Sequence, residues 1–134
     1  DVYEQKERLM LNFGHTFAHA IEMSTDLLKK DFYRHGEAVG IGILCELYYA
    51  NKGKNKIFKT VEKFLNELNL PTKINNEKFN KKTLHSDIYK FLFLDKKKLN
   101  KFPRYISLKS QGKPRIDELD NDTLINETII KMSQ

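Results

Sequence analysis

Along most of this chain, apolar residues return every three to four positions, the period of helices that bury one face. Residues 54–69 show it most cleanly: Ile57, Val61, Phe64, Leu65 and Leu68 mark one face, and lysines and glutamates fill the other. Pro71 stops that run. Residues 77–94 repeat the pattern with Leu84, Ile88, Phe91 and Leu92. A last helix carries Leu124, Ile125, Ile129 and Met132, with Asp120 or Asp122 expected as its cap. The "RYISLKS" stretch at 104–110 alternates with period two and predicts a short strand. Gly112 and Pro114 then turn the chain into a second strand at 115–117. The sequence contains no internal repeat and no doubly wound βαβ pattern. It predicts a mainly α fold, a single helical domain over residues 1–134 with a short β-hairpin near 104–117.

Two segments depart from ordinary amphipathic helix. Residues 37–51, "EAVGIGILCELYYAN", are almost wholly apolar and carry Gly40 and Gly42. Glycine inside a helix costs about 1 kcal/mol relative to alanine, so the pair predicts close backbone packing against a neighbour. Gly53 marks the stop. Residues 3–24 read as one first helix, flanked by large apolar side chains at Leu9, Leu11, Phe13, Phe17 and Ile21. On a wheel of about 100° per residue, Arg8, Asn12, His15, His19 and Glu22 fall within an arc of roughly 80°. Burying such groups unpaired costs kcal/mol each, so the stripe faces a ligand, a metal or the polar groups of a partner. Gly14 beside it permits close approach.

A pair of histidines four residues apart is a weak metal signal alone, and the stripe strengthens it. His35 strengthens it further. It ends the loop "STDLLKKDFYRHG" at the start of the apolar helix, and that loop is long enough to fold it back toward the first helix. Two histidines from neighbouring elements, with a third ligand from elsewhere, would form an open Zn²⁺ site with room for water or substrate. His85 lies among polar residues and reads as a surface side chain.

Composition narrows the class. A chain of 134 residues, 40% apolar and 31% charged, suits one soluble globular domain. No apolar run approaches the roughly 20 residues that span a bilayer, so no membrane is expected. The charged start "DVYEQKER" is unlike a signal peptide and lacks Met, which suggests a piece of a longer protein. The single cysteine, Cys45, excludes an internal disulfide, suits a reducing cytoplasm, and reads as a small buried hydrophobe. The formal charge of +6 comes from lysines spread over 52–101, a solvated surface whose field draws anionic small molecules. No nucleic-acid-binding signature accompanies it, so no nucleic acid is expected.

The motif R-x-x-L-N-F-G-H-T-x-x-H-A-I-E at 8–22, followed by H-G-E-A-V-x-I-G at 35–42, closely resembles the 3-dehydroquinate synthase family. The less specific "DKK" at 95–97 fits it too. The resemblance runs over nearly the whole chain. It implies the helical C-terminal metal and substrate domain of the dehydroquinate synthase-like fold, a cytoplasmic enzyme and a homodimer. The NAD-binding α/β domain would lie upstream and form a partner of this one. His15 and His35 match metal ligands for Zn²⁺ or Co²⁺, the third ligand being an upstream glutamate. His19 matches a catalytic histidine beside the substrate. Arg8 and Asn12 match substrate contacts, and Lys96, ahead of Lys97, matches a phosphate contact. Ala18 departs from the family's usual glycine.

The implied substrate is 3-deoxy-D-arabino-heptulosonate 7-phosphate. NAD⁺ transiently oxidises one hydroxyl, the neighbouring C–H becomes acidic, phosphate leaves, and reduction, ring opening and an aldol closure give 3-dehydroquinate. "GEAVGIG" is not a dinucleotide fingerprint, because no strand precedes it and its glycines lie in a helical run. This stretch alone is therefore expected to be inactive. The alternatives are another sugar-phosphate cyclase, a metal-dependent alcohol or glycerol dehydrogenase, and a basic helical module that binds nucleic acid or a partner protein.

Overall fold

The computed structural model describes residues 8–26, 33–74, 81–109 and 112–134. Its principal elements are α1 (His15–Asp26), α2 (His35–Asn51), α3 (Lys56–Glu67), α4 (Lys81–Leu92), β1 (Arg104–Ser107), β2 (Arg115–Glu118) and α5 (Asp122–Met132). The two strands pair antiparallel, Arg104 opposite Glu118 and Ser107 opposite Arg115. The fold is mainly α with a small hairpin, as the periodicity predicts. The start of the predicted 77–94 helix, residues 77–80, lies outside the described residues.

The apolar segment becomes the central helix. Ala38, Ile41, Leu44 and Leu47 of α2 are fully buried, and Cys45 lies among them. Phe17 and Ile21 of α1, Leu84 and Ile88 of α4, and Ile125 and Ile129 of α5 complete the core. Each large side chain of this kind contributes about 1.5–3 kcal/mol when fully buried. Where α2 ends, Lys52 takes a left-handed φ of 54° and the Gly53 N–H returns to the Tyr48 carbonyl at 2.9 Å. The stop expected at Gly53 is thus a backbone cap at the C-terminus.

The first helix is not continuous. Residues 8–11 are helical, 12–14 form a turn, and α1 begins at His15. The N–H groups of Asn12, Phe13 and His15 bond three residues back, to Leu9, Met10 and Asn12, at 3.0–3.2 Å. Gly14 has φ +84°, a left-handed value that no α-helix contains. The break lets α1 settle onto α2 backbone to backbone. A Cβ on Gly42 would lie 2.1 Å from the Gly14 carbonyl oxygen. The wheel drawn over 8–22 therefore holds only from His15 onward, and Leu11, on the far side of the turn, is 74% exposed rather than packed.

Three smaller expectations change. The last helix is capped by Asn121, not Asp120 or Asp122: its side chain accepts the Leu124 N–H at 3.0 Å, and Asp122 is the first helical residue. Asn121→Ala should lower stability by about 1 kcal/mol, read as a shift in the urea unfolding midpoint. On α3, Phe58 and Leu65 are buried, whereas Phe64 and Leu68 are exposed. That helix packs principally against α2, and one neighbour covers only a narrow stripe of it. His85 is half-buried, with its Nε2 out of solvent contact, because α4 packs against both α1 and α5. Among the described residues no helix is long and apolar enough to cross a membrane.

Candidate active site at the histidine cluster

His15, His19 and Glu22 stand at spacings of four and three residues on α1 and so share one face. His35 is the first residue of α2, which the α1–α2 packing brings alongside. The three imidazoles converge: ring centroids are 5.5 Å apart for His15 and His35, 5.9 Å for His15 and His19, and 6.4 Å for His19 and His35.

Two of the three rings have an oxygen at Nδ1. His15 Nδ1 lies 3.2 Å from the Phe13 carbonyl oxygen, and His35 Nδ1 lies 3.2 Å from Glu22 Oε1. A carbonyl or carboxylate oxygen can only accept, so each Nδ1 donates, and the lone pair of the neutral ring sits on Nε2. An oxygen acceptor at one ring nitrogen fixes the tautomer and the ring's orientation, and leaves the other nitrogen able to bind a cation. Two imidazoles on one tetrahedral Zn²⁺ have centroids about 5 Å apart, close to the His15–His35 separation. The pair thus fits a shared cation. No group of three His, Cys, Asp or Glu side chains among the described residues is arranged to hold a metal ion. A cation shared by His15 and His35 would draw its further ligands from another segment.

The cluster opens on a cavity of ≈ 280 Å³ lined by Asn12, His15, Thr16, His19 and, from the hairpin, Arg104, Tyr105, Ile106 and Ile116. Thr16 Oγ1 donates to the Arg104 carbonyl at 2.5 Å, tying β1 to the start of α1. No carboxylate among the described residues forms an ion pair with Arg104. Sequence reasoning missed Arg104 and Thr16, because nothing local shows that β1 returns to the histidine helix some 88 residues away.

It also passed over Glu46, although a lone carboxylate in "ILCELYY" was a visible signal. Glu46 is fully buried on α2, and its Oε1 accepts the Ile106 N–H at 3.0 Å. Its Oε2 is buried without a direct hydrogen bond. Burial pushes the carboxyl up to about 8, and the N–H groups of Gly14, Ile106, Phe17 and Thr16 only partly offset that. One carboxyl group thus joins the start of the histidine helix to the strand carrying Arg104.

The remaining predicted residues are spread more widely. Arg8 is exposed, ahead of the Gly14 turn. Lys97 does not line the histidine cavity. Its Nζ sits 5.2 Å from the Tyr89 ring and 5.4 Å from the Phe93 ring, on a second cavity of ≈ 220 Å³. Lys96 is half-buried in the turn after α4 and lines neither cavity. The structure therefore brings together His15, His19, His35 and Asn12, and keeps Lys97 apart from them.

Fold and site together define a helical domain that presents imidazoles and polar side chains at an open pocket. The family described as 3-dehydroquinate synthase C-terminal matches residues 1–98. A 3-dehydroquinate synthase of Legionella pneumophila (strain Lens) is 35% identical over 98% of this chain and 34% of its own length. One of Campylobacter hominis is 38% identical over 92% of this chain and 36% of its own, and one of Pelagibacter ubique 39% over 89% and 32%. The chain belongs to the 3-dehydroquinate synthase family, in its C-terminal domain, and spans about a third of the length of the curated relatives it matches.

Proposed function

We propose that this domain forms the metal- and substrate-binding half of a 3-dehydroquinate synthase, which converts 3-deoxy-D-arabino-heptulosonate 7-phosphate to 3-dehydroquinate and phosphate. The observation that supports it best is the convergence of the His15, His19 and His35 rings, with His15 and His19 lining a cavity shared with Asn12 and with an oxygen acceptor at Nδ1 of His15 and of His35. In this reading Nε2 of His15 and of His35 hold the cation, Zn²⁺ or Co²⁺, with an upstream glutamate as third ligand. The bound cation supplies Lewis-acid polarisation of the substrate's hydroxyl and carbonyl oxygens.

The other residues of this chain bind and move protons. No oxygen among the described residues bonds a ring nitrogen of His19, so its ring can exchange a proton beside the departing phosphate. Asn12 hydrogen-bonds a substrate hydroxyl. Arg8 meets an anionic group, and Arg104, with which no carboxylate among the described residues pairs, adds a positive charge at the cavity. Lys96 and Lys97 lie outside that cavity, and the phosphate contact given to one of them rests on the family resemblance alone. NAD⁺ belongs to the upstream α/β domain, this domain's structural partner. Gly40 and Gly42 are buried inside α2, and Gly42 serves helix contact, a role unlike a nucleotide loop. The same reading carries the family's homodimer and a cytoplasmic setting, the latter in keeping with a lone buried cysteine.

The test is made in the full-length protein. His19→Ala should lower kcat by about 10²–10⁴-fold with metal content still near one per chain, whereas His15→Ala should lose the metal. Phosphate release and bound zinc are measured on the same preparations. Turnover of His19→Ala at the wild-type rate would refute the role given to that ring. The 134-residue chain alone should form no dehydroquinate.

A further inference from the structure

Glu22 belongs to the polar face of α1, yet the roles assigned above do not use it. Its Oε1 lies 3.2 Å from His35 Nδ1, and the two side chains are 27% and 58% exposed. His35 opens α2 after a non-helical residue, and an imidazole so exposed would otherwise rotate and exchange between tautomers. Neutral histidine in water carries its proton mostly on Nε2, which leaves that nitrogen with no lone pair to offer. A carboxylate oxygen at Nδ1 reverses the preference. His15 achieves the same with a backbone carbonyl, which no substitution of a side chain can remove. At His35 the task falls to a replaceable side chain.

We propose that Glu22 is a positioning residue: it takes the Nδ1–H of His35 and so holds that ring in the tautomer whose Nε2 can bind a cation. The consequence for metal binding rests on the reading of His15 and His35 as ligands, whereas the hold on the tautomer does not. Glu22 and His35 are joined across the α1–α2 packing, thirteen residues apart in the chain, so the bond also fixes the ring relative to His15 and His19. The pair is too exposed to support the fold appreciably. Glu22→Ala should therefore leave the unfolding midpoint of the protein unchanged.

The experiment uses the full-length protein labelled with ¹⁵N-histidine and freed of metal, at a pH where the rings are neutral. Long-range proton–nitrogen correlation reports the tautomer of His35, assigned by the loss of its signals in His35→Asn. Wild type should show the Nδ1–H form. Glu22→Ala should move to the Nε2–H form, and Glu22→Gln, whose amide oxygen still accepts, should keep Nδ1–H. Zn²⁺ affinity by chelator competition should fall about 10–100-fold in Glu22→Ala and stay within about threefold of wild type in Glu22→Gln. An unchanged His35 tautomer in Glu22→Ala overturns the proposal, and so does a switched tautomer with wild-type Zn²⁺ affinity. If wild type takes up no Zn²⁺ while the tautomer still switches, the metal reading of the site falls and the hold of Glu22 on His35 stands.

Discussion

Gly42→Ala should abolish the native domain. The added Cβ would lie 2.1 Å from the Gly14 carbonyl oxygen, 2.9 Å from the Ala18 nitrogen and 3.0 Å from the Gly14 carbonyl carbon. All three are backbone atoms of the turn and helix that carry the histidines, so no side chain can rotate out of the way. Overpacking a core ordinarily costs about 1–3 kcal/mol, and a clash with rigid backbone belongs at or beyond the top of that range. Gly14→Ala meets a similar wall, 2.6 Å from Ile43 Cγ1 and 2.7 Å from its nitrogen, and adds the strain of φ +84°. The other glycines of α2 grade the effect. At Gly40 the nearest atom is Leu65 Cδ2 at 3.4 Å, the end of a side chain that can shift, so Gly40→Ala should be mild. At Gly36 nothing lies within 4 Å, and Gly36→Ala should add up to about 1 kcal/mol by raising helix propensity. Urea unfolding of the four variants checks the order. A Gly42→Ala protein within about 0.5 kcal/mol of wild type would refute the α1–α2 contact.

That contact also shows what the sequence could convey. Glycine in an apolar helix pattern announces close packing, because its cost demands a reason, and Gly42 met that expectation. What glycine at 14 meant was ambiguous. Its permissiveness serves both a close approach within a helix and a left-handed turn that ends one, and periodicity over 8–22 was equally good for a continuous helix. The competition was decided by tertiary contact with Ile43 and Val39, which no local pattern encodes. The chemistry of the site was more legible than its walls. Imidazoles at 15, 19 and 35 are rare enough residues, at spacings regular enough, to predict a cluster, and their rings do converge. Arg104 and Thr16 were illegible, because their proximity depends on a hairpin folding back onto α1. Exposed Phe64 and Leu68 mark the opposite failure: amphipathic periodicity tells which face is apolar, not how many neighbours come to cover it.

Glu46 should make the stability of this chain fall as pH rises from mild acid to mild base. Its carboxyl titrates near 4.5 in an ordinary setting and is pushed up to about 8 in the fold, chiefly by burial. Between those values the folded chain keeps a proton that the unfolded chain has released, so raising the pH favours unfolding. Below that window the contribution is complete, and above it the loss is complete. At about 1.4 kcal/mol per unit, the full span amounts to up to about 5 kcal/mol. Glu46→Gln separates this term from every other titration. The amide can still accept the Ile106 N–H but does not ionise, so the difference in unfolding free energy between the two proteins should grow steadily between pH 5 and 8.5 in favour of the variant. Glu46→Ala differs again, because it strands the Ile106 N–H and removes the acceptor facing the first amides of α1, a loss of about 1–3 kcal/mol at any pH. Denaturation series for wild type and Glu46→Gln that run parallel across this range would refute a buried neutral carboxyl at that position. A carboxyl kept neutral there fits its place in the fold: the start of α1 faces it and the strand bearing Arg104 bonds it through the Ile106 N–H, so two walls of the histidine cavity meet at a group whose ionisation burial disfavours.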